Sequence, residues 1–211
     1  MSNLKIFDIS PEISPETAVF PGDTKFSRAE ALSTKNGDHL TLSSINTTVH
    51  IGAHTDAPNH YHRNGCDMAS RDLDFYIGEC QVLEVNIAPN NRIKPEDIRE
   101  EISSTRILFK TNSYPNPKRW NNDFNAISSE LVEYLAKKDV KLIGIDTPSV
   151  DLANDKELEA HLSIYKNNMA ILEGIILKDI VPQKYKLIAL PLKIKNADAS
   201  PVRAVLILGD L

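Results

Sequence analysis

The chain of 211 residues has little cysteine and no long apolar segment. Cys66 and Cys80 are its two cysteines, and no CxxC pair occurs, which favours free thiols over a disulfide framework. No stretch approaches the roughly 18 apolar residues that a membrane span needs. The N-terminal residues also lack the basic and apolar regions of a secretory signal. We therefore expect a cytoplasmic protein with no membrane partner.

Basic clusters and several common catalytic motifs are missing as well. The chain carries 24 Lys and Arg residues against 29 Asp and Glu residues, and its formal net charge is −5. The basic residues form no run, so a nucleic-acid partner is not expected. No GxSxG, P-loop or GxGxxG motif is present, which argues against a nucleophile elbow and against nucleotide-binding loops.

What the sequence does have is a concentration of imidazoles in one short segment. His50, His54, Asp56 and His60 lie within eleven residues, HIGAHTDAPNH. The glycine and proline of this segment exclude a helix and predict the end of a strand that enters a tight loop. Imidazole and carboxylate ligands without cysteine favour a catalytic zinc or manganese site with an open position. The alternatives are a polar surface loop and a non-catalytic metal-binding protein.

Glu173 and His161 are the next candidates. Glu173 lies in the apolar run 170–177, where an unpaired carboxylate would cost on the order of several kcal/mol. Either a basic partner or a metal ion would compensate for that cost. His161, on a predicted helix, is either an exposed helix residue or a ligand of a second ion, in which case Asp56 and Glu173 could bridge the two ions.

Other polar and aromatic residues have less specific interpretations. Asp146 and Asp151 flank a loop after a predicted buried strand, where turn formation and capping are favoured over catalysis. Phe20, Tyr61 and Trp120 occupy predicted loops, where they either line a pocket for a flat substrate or anchor the loops.

The pattern of apolar residues predicts an α/β protein with short helices. Strands outnumber helices, and no repeat or linker is visible, so we expect one domain over residues 1–211 with a mixed, barrel-like sheet and peripheral helices. Strands are predicted at 4–10, 40–49, 79–88, 105–111, 141–146, 170–177 (central in the sheet), 186–192 and 201–208. Helices are predicted at 95–102, 128–138 and 155–164.

Several segments together resemble a known family. HIGAHTDAP resembles the HxGTHxDxP signature of the cyclase-type metal-dependent hydrolases. Phe20 stands in an aromatic-PGD loop where the formamidase branch often has Trp. Further segments along nearly the whole chain resemble bacterial kynurenine formamidase (arylformamidase): FPGDT at 20–24, LIGIDTPSVD at 142–151, DKELEAH ending at 161, AILEG at 170–174, LIALPL at 187–192 and DASPVRAV at 198–205.

The resemblance implies a swivelling β/α/β fold and a homodimer or larger homo-oligomer. It implies hydrolysis of N-formyl-L-kynurenine to kynurenine and formate in tryptophan degradation. The alternative is the opening of a cyclic amide such as isatin, as relatives with this scaffold do.

The resemblance also implies a site with two divalent ions, zinc or, in some relatives, manganese. It assigns His60 as the acid/base residue and Phe20 as a contact of the substrate ring. It assigns His50, His54 and Asp56 to the first ion, and Asp56, His161 and Glu173 to the second.

Overall fold

Thirteen strands and two α-helices make up the fold of the computed structural model, which describes residues 4–209. The strands are β1 (Lys5–Asp8), β2 (Ser27–Leu32), β3 (Leu42–Asn46), β4 (His54–Asp56), β5 (Ile77–Glu84), β6 (Arg92–Ile93), β7 (Arg106–Lys110), β8 (Ala126–Ile127), β9 (Leu142–Ile145), β10 (Ala170–Leu172), β11 (Lys184–Ile188), β12 (Ala199–Pro201) and β13 (Val205–Leu208). The helices are α1 (Ser129–Ala136) and α2 (Glu159–Lys166), and five single turns of 3-10 helix join the remaining segments.

Seven of the strands form one mixed sheet in the order β1-β13-β11-β5-β7-β9-β10. The pairs from β5 through β7 and β9 to β10 are parallel, and those from β1 to β5 are antiparallel. Both helices have eight residues. The predicted single-domain α/β architecture with a mixed sheet and short helices is confirmed, while the domain limits 1–211 stay a prediction. Within residues 4–209, no helix is long and apolar enough to cross a membrane.

Both faces of the large sheet are buried, and the alternation along β7 demonstrates it. Ile107 and Phe109 belong to the apolar cluster that includes Leu131 and Leu135 of α1. Leu108, between them, belongs to the cluster on the opposite face. Successive side chains of a strand point to opposite faces, so a strand such as β7, whose side chains are all buried, needs cover on both sides.

The helix predicted at 95–102 is wrong in length. Only Pro95–Asp97 form a 3-10 turn, and Ile98 is already extended. Ile98 and Ile102 pack against the cluster of α1 from this irregular segment. Here tertiary burial of two apolar side chains overrides the local helix signal.

The apolar run 170–177 is also shorter than predicted as a strand, and it is not central. β10 ends at Leu172 and lies at the edge of the seven-stranded sheet, beside β9. The chain turns at Gly174, whose φ is 65°. Ile175 and Leu177 then enter the core outside any strand.

The strand predicted at 40–49 does not lead directly into the histidine segment. β3 pairs with β2 in a separate two-stranded hairpin and ends at Asn46. A turn that contains His50 follows, and His54–Asp56 form their own strand, β4. β4 pairs antiparallel with β12, so the segment predicted as a loop is partly a strand.

Candidate metal centre

A backbone bridge brings His54 and Glu173 together from segments more than a hundred residues apart. The amide of His54 donates to the carbonyl of Glu173 at 3.1 Å, and the amide of Glu173 donates back to the carbonyl of His54 at 2.9 Å. In such an antiparallel pair the two side chains stand on the same face of the sheet. The pairing therefore places one imidazole and one carboxylate side by side.

The two-residue period of β4 adds the second carboxylate. His54 and Asp56 are separated by one residue in a strand and so point to the same face. Thr55 points the other way, where its buried hydroxyl donates to the carbonyl of Ile171 at 2.6 Å. The cluster on this face thus follows from strand geometry, and not from a flexible loop.

His50, His60 and His161 complete the cluster from three other elements. His50 lies in the turn before β4, His60 ends the 3-10 turn Pro58–His60, and His161 lies in the first turn of α2. The rings of His50 and His60 are 4.3 Å apart between centroids, and those of His60 and His161 are 6.1 Å apart. The structure therefore brings all six predicted polar site residues to one place.

Three imidazole nitrogens converge on the Asp56 carboxylate. His50 Nδ1 lies 3.0 Å and His54 Nε2 lies 3.6 Å from Asp56 Oδ1, while His161 Nε2 lies 3.4 Å from Asp56 Oδ2. Glu173 meets two of the same rings, since its Oε2 lies 3.1 Å from His54 Nε2 and its Oε1 lies 3.9 Å from His161 Nε2. The two carboxylates thus lie between the imidazoles, as bridging ligands would.

Ligand atoms of these residues are close enough to share an ion. Those of His50, His54 and Asp56 lie within 4.8 Å of one another. Those of Asp56, His60 and His161 do the same, so Asp56 belongs to two candidate sets. Nitrogen and carboxylate oxygen donors of this kind suit zinc and manganese.

The rings of His50, His54 and His161 each have a hydrogen-bond partner on the outer nitrogen, the one that faces away from Asp56. His54 Nδ1 lies 2.9 Å from the carbonyl of Gly52, which can only accept, so this nitrogen carries the proton. His161 Nδ1 lies 2.7 Å from Asp151, and His50 Nε2 lies 3.1 Å from Asp198. An imidazole that donates through its outer nitrogen presents a lone pair on the inner one, as metal-ligating histidines do.

The carboxylates also shift the pKa values of the rings. Burial disfavours the charged form of His50, but the nearby carboxylates of Asp56, Asp198 and Glu173 together outweigh it and raise its pKa to about 9. For His161 burial is likewise outweighed, by Asp151 and Asp56, and its pKa rises to about 10. The pKa of Asp56 falls well below its usual range, because the neighbouring rings of His161, His50 and His54 outweigh its burial. The site therefore favours positive charge, which an ion can supply in place of protons.

The strongest sign that the residues fit an ion is an orphaned oxygen. Asp56 Oδ1 is buried and has no hydrogen-bond partner, although His50 Nδ1 and His54 Nε2 lie close to it. Buried carboxylate oxygens without donors are rare and costly. A cation among these atoms would satisfy the oxygen and accept both nitrogen lone pairs.

The cluster forms the floor of a cavity of about 490 Å³. Its upper wall contains Phe20, Tyr114 and Trp120, and the rings of Phe20 and Trp120 meet edge to face at 5.1 Å. Phe20 is half exposed at the rim. Leu152 and Ile176 add apolar surface. Phe20 and Trp120 therefore line the pocket, whereas Tyr61 packs on His161 at 5.0 Å and is absent from the wall.

Residue-level sequence reasoning missed some functional neighbours and gave others only part of their role. Asp198, within the DASPVRAV segment, contacts His50 and lies 3.5 Å from His60 Nδ1. Asp151 does cap a helix, as predicted, but it also orients His161. Arg92, 59 residues before Asp151, binds it at 2.6 Å and carried no motif that could have revealed this.

Solved structures share this fold over nearly the entire chain. A potential metal-dependent hydrolase with cyclase activity is 25% identical, with a TM-score of 0.83 over 97% of this chain and 98% of that chain. A predicted metal-dependent hydrolase from Bacillus stearothermophilus is 24% identical, with a TM-score of 0.79 over 98% and 99%. An isatin hydrolase bound to the product analogue thioisatinate is 19% identical, with a TM-score of 0.82 over 98% and 93%.

The fold and the site define a class: single-domain α/β proteins with a buried histidine and carboxylate centre that can hold a metal ion. Residues 7–152 match the family model Cyclase, described as "Putative cyclase". The chain belongs to this family. The matched range contains His50, His54, Asp56 and His60, and the remaining two site residues follow it in the shared fold.

Proposed function

We propose that this chain is a metal-dependent hydrolase that cleaves N-formyl-L-kynurenine to kynurenine and formate, within tryptophan degradation in the cytoplasm. The observation that carries the metal dependence is the buried Asp56 Oδ1, which has no hydrogen-bond donor but faces nitrogens of His50 and His54. The likeness of nearly the whole chain to a potential metal-dependent hydrolase with cyclase activity supports the hydrolytic chemistry.

Two ions would be shared between two overlapping sets of ligands. Bound there, the ions would supply the positive charge that lowers the pKa of water and stabilises an oxyanion. Asp56 and Glu173 would hold the ions through their carboxylates, and these two negative charges would only partly offset the charge of two divalent ions. The first ion would use His50, His54 and Asp56, and the second would use Asp56, His161 and Glu173; zinc suits this donor set, and manganese is the alternative.

His60 is proposed as the acid/base residue. It lines the cavity, and its Nδ1 lies 3.5 Å from Asp198 Oδ2, on the outer side of the cluster. In hydrolysis of the formamide, water adds to the carbonyl carbon and the C–N bond breaks. The departing aryl nitrogen must gain a proton, and an imidazole at the cavity wall can deliver it.

The aromatic wall supports a flat, ring-bearing substrate. Phe20 and Trp120 offer ring faces and edges opposite the carboxylate floor, so an aryl group can lie against them while its formyl group reaches Asp56. The same walls would accept a fused bicyclic lactam. Ring opening of isatin is therefore the second candidate, supported by the fold shared with an isatin hydrolase.

The experiment is a parallel assay of both substrates with purified protein. Kynurenine absorbance reports on the first reaction and loss of isatin absorbance on the second, each before and after treatment with a chelator and after return of Zn²⁺ or Mn²⁺. We expect chelator-sensitive turnover of N-formyl-L-kynurenine that exceeds turnover of isatin. Turnover that survives complete metal removal would contradict the metal dependence. Faster turnover of isatin than of N-formyl-L-kynurenine would contradict the proposed substrate and favour isatin.

A further inference from the structure

We propose that Arg92 is a positioning residue for the metal ligand His161 and that it acts through Asp151. The inference rests on the proposed metal centre. Arg92 is absent from the described lining of the cavity, and its polar contacts are with Ile127, Asp151, Asp155 and Glu159 instead of the candidate ligands. Its influence would reach the centre along one chain of contacts, from the guanidinium to a buried carboxylate and from there to an imidazole.

Asp151 fixes the ring of His161. His161 Nδ1 donates to Asp151 Oδ2 at 2.7 Å, so the other ring nitrogen is the one that faces the centre. That nitrogen, Nε2, lies 3.4 Å from Asp56 Oδ2 and 3.9 Å from Glu173 Oε1. Asp151 therefore determines both the tautomer and the plane of the ring, from the side that faces away from Asp56.

The same carboxylate holds the helix that carries the ring. Helix α2 starts after Leu158, which has a φ of 52° and provides no side-chain cap. Asp151 caps the helix from a distance, accepting from the amide of Ala160 at 3.1 Å and from the amide of His161 at 3.1 Å. A shift of Asp151 would consequently move both the backbone and the side chain of His161.

Arg92 supplies the counter-charge that this buried carboxylate needs. The side chain of Asp151 is 1% exposed, and Arg92 Nη1 lies 2.6 Å from its Oδ1. The rest of the guanidinium binds the same segment, with Nη2 at 2.5 Å from Asp155 and Nε at 3.1 Å from Glu159. A planar fork with donors in three directions can do this, whereas the ammonium group of lysine cannot.

The guanidinium is itself anchored to the body of the fold. Arg92 lies in β6, which pairs with β8, and its Nη1 also donates to the carbonyl of Ile127 at 2.8 Å. The acidic partners, in contrast, lie in the segment that leads into α2 and at the first residue of that helix. Arg92 thus ties the ligand-bearing helix to a strand pair, which would keep His161 in register with Asp56 and Glu173.

The test is titration of metal-free protein with Co²⁺, followed by its visible absorption bands, which report affinity and ligand geometry without turnover. We compare wild type, Arg92→Gln, Arg92→Lys and Asp151→Asn, with Arg203→Gln as the control. Arg203 also forms an ion pair, with Asp8, but lies at an exposed position outside the cavity. Thermal unfolding of each metal-free protein separates effects on metal binding from effects on stability.

We expect the Arg92 and Asp151 variants to bind one of two Co²⁺ ions about 10- to 100-fold more weakly and to leave the other nearly unchanged. Arg92→Lys should fail to restore affinity, because it keeps the charge and loses the fork. If both ions bind Arg92→Gln as they bind Arg203→Gln, the inference is overturned, even where the melting temperature falls. Absence of Co²⁺ and Zn²⁺ binding by wild type would instead overturn the proposed metal centre itself.

Discussion

The chemistry of the site depends on which side chains carry negative charge and which one can transfer a proton. Asp56 and Glu173 have their carboxylates among the imidazoles, whereas His60 stands at the cavity wall and is the most exposed of the predicted polar residues. His60 also has a ligand atom within 4.8 Å of those of Asp56 and His161, so ligation of an ion is its alternative role beside proton transfer.

Replacement of His60 separates these two roles. We expect His60→Ala to reduce turnover by about 10²- to 10⁴-fold, because the departing amine loses its proton donor, and to retain the full metal content. Metal analysis beside steady-state kinetics is the measurement. His62→Ala is the control, since His62 stacks on Tyr165 at 3.9 Å and does not line the cavity. Loss of metal from His60→Ala would make His60 a ligand.

Replacement of Glu173 tests the bridging carboxylate. Glu173 Oε1 accepts from the amide of Val150 at 2.7 Å, and an amide side chain can keep this bond. We therefore expect Glu173→Gln to fold but to lose at least one ion, since its negative charge is removed from between the imidazoles. Elemental analysis of the purified variant gives the answer. An unchanged metal content would rule out the two-ion arrangement.

At the scale of elements, the site depends on the close approach of two backbone segments. A Cβ built on Gly174 would lie 2.2 Å from the carbonyl oxygen of Gly52, next to the bridge between His54 and Glu173. Gly174 also has a φ of 65°, which L side chains rarely adopt. No side chain can be accommodated here without separating the two segments that carry the ligands.

Gly174→Ala should therefore lower the free energy of unfolding by more than backbone strain alone would. A left-handed conformation costs a residue with a side chain about 1–2 kcal/mol, and the clash adds to that cost. Gly37→Ala is the matched control, because Gly37 has a φ of 93° and nothing within 4 Å of the added carbon. Chemical denaturation and Co²⁺ binding of both variants are the measurements. Equal losses of stability and of Co²⁺ affinity in the two variants would exclude a role for the close approach of Gly174 to Gly52.

Among the described residues, the hairpin of β2 and β3 pairs with no other strand. All of β3 is exposed, including Leu42 and Ile45, and an isolated two-stranded hairpin is marginally stable in water. We propose that a second copy of the chain covers it, in line with the homodimer expected from the sequence. Ile45→Lys should shift the protein toward monomer in light scattering, whereas Val181→Lys, at another exposed apolar position, should not. A monomeric wild type would refute this.

At the scale of the whole molecule, charge is distributed unevenly around the cavity. Its described lining contains the carboxylates of Asp23 and Asp155 away from the histidine cluster, and no Lys or Arg. The nearby Arg92 is fully engaged with acidic partners. Outside the histidine cluster, the described lining therefore offers no basic side chain to an anionic substituent on the substrate ring.

This distribution predicts a preference among substituted formanilides. A formanilide with a para aminomethyl group should have a kcat/KM higher than one with a para carboxylate by at least about tenfold, which corresponds to about 1.4 kcal/mol. The difference should shrink as ionic strength rises, because these wall charges are partly solvated. Equal kcat/KM values at low salt, or a preference for the acid, would contradict it.

The sequence by itself determined the chemical inventory and the fold class. Imidazoles and carboxylates concentrated in HIGAHTDAPNH, a glutamate in an apolar run and the near absence of cysteine are composition and order, which need no coordinates. Strands β7 and β9 and the short helix α1 follow from local periodicity, so their positions could be predicted within a few residues. The segment HIGAHTDAP that resembles the cyclase signature is local as well, and it lies inside the matched range, residues 7–152.

Only the tertiary structure decided how these residues meet. The bridge between His54 and Glu173, the remote capping of α2 by Asp151 and the salt bridge of that residue with Arg92 join segments far apart in the chain. The energies of hydrogen bonds and ion pairs depend on the distance between groups in space, whereas a motif records only distance along the chain. The same reason accounts for the irregular segment after Pro95, where burial of apolar side chains overrode a local helix signal.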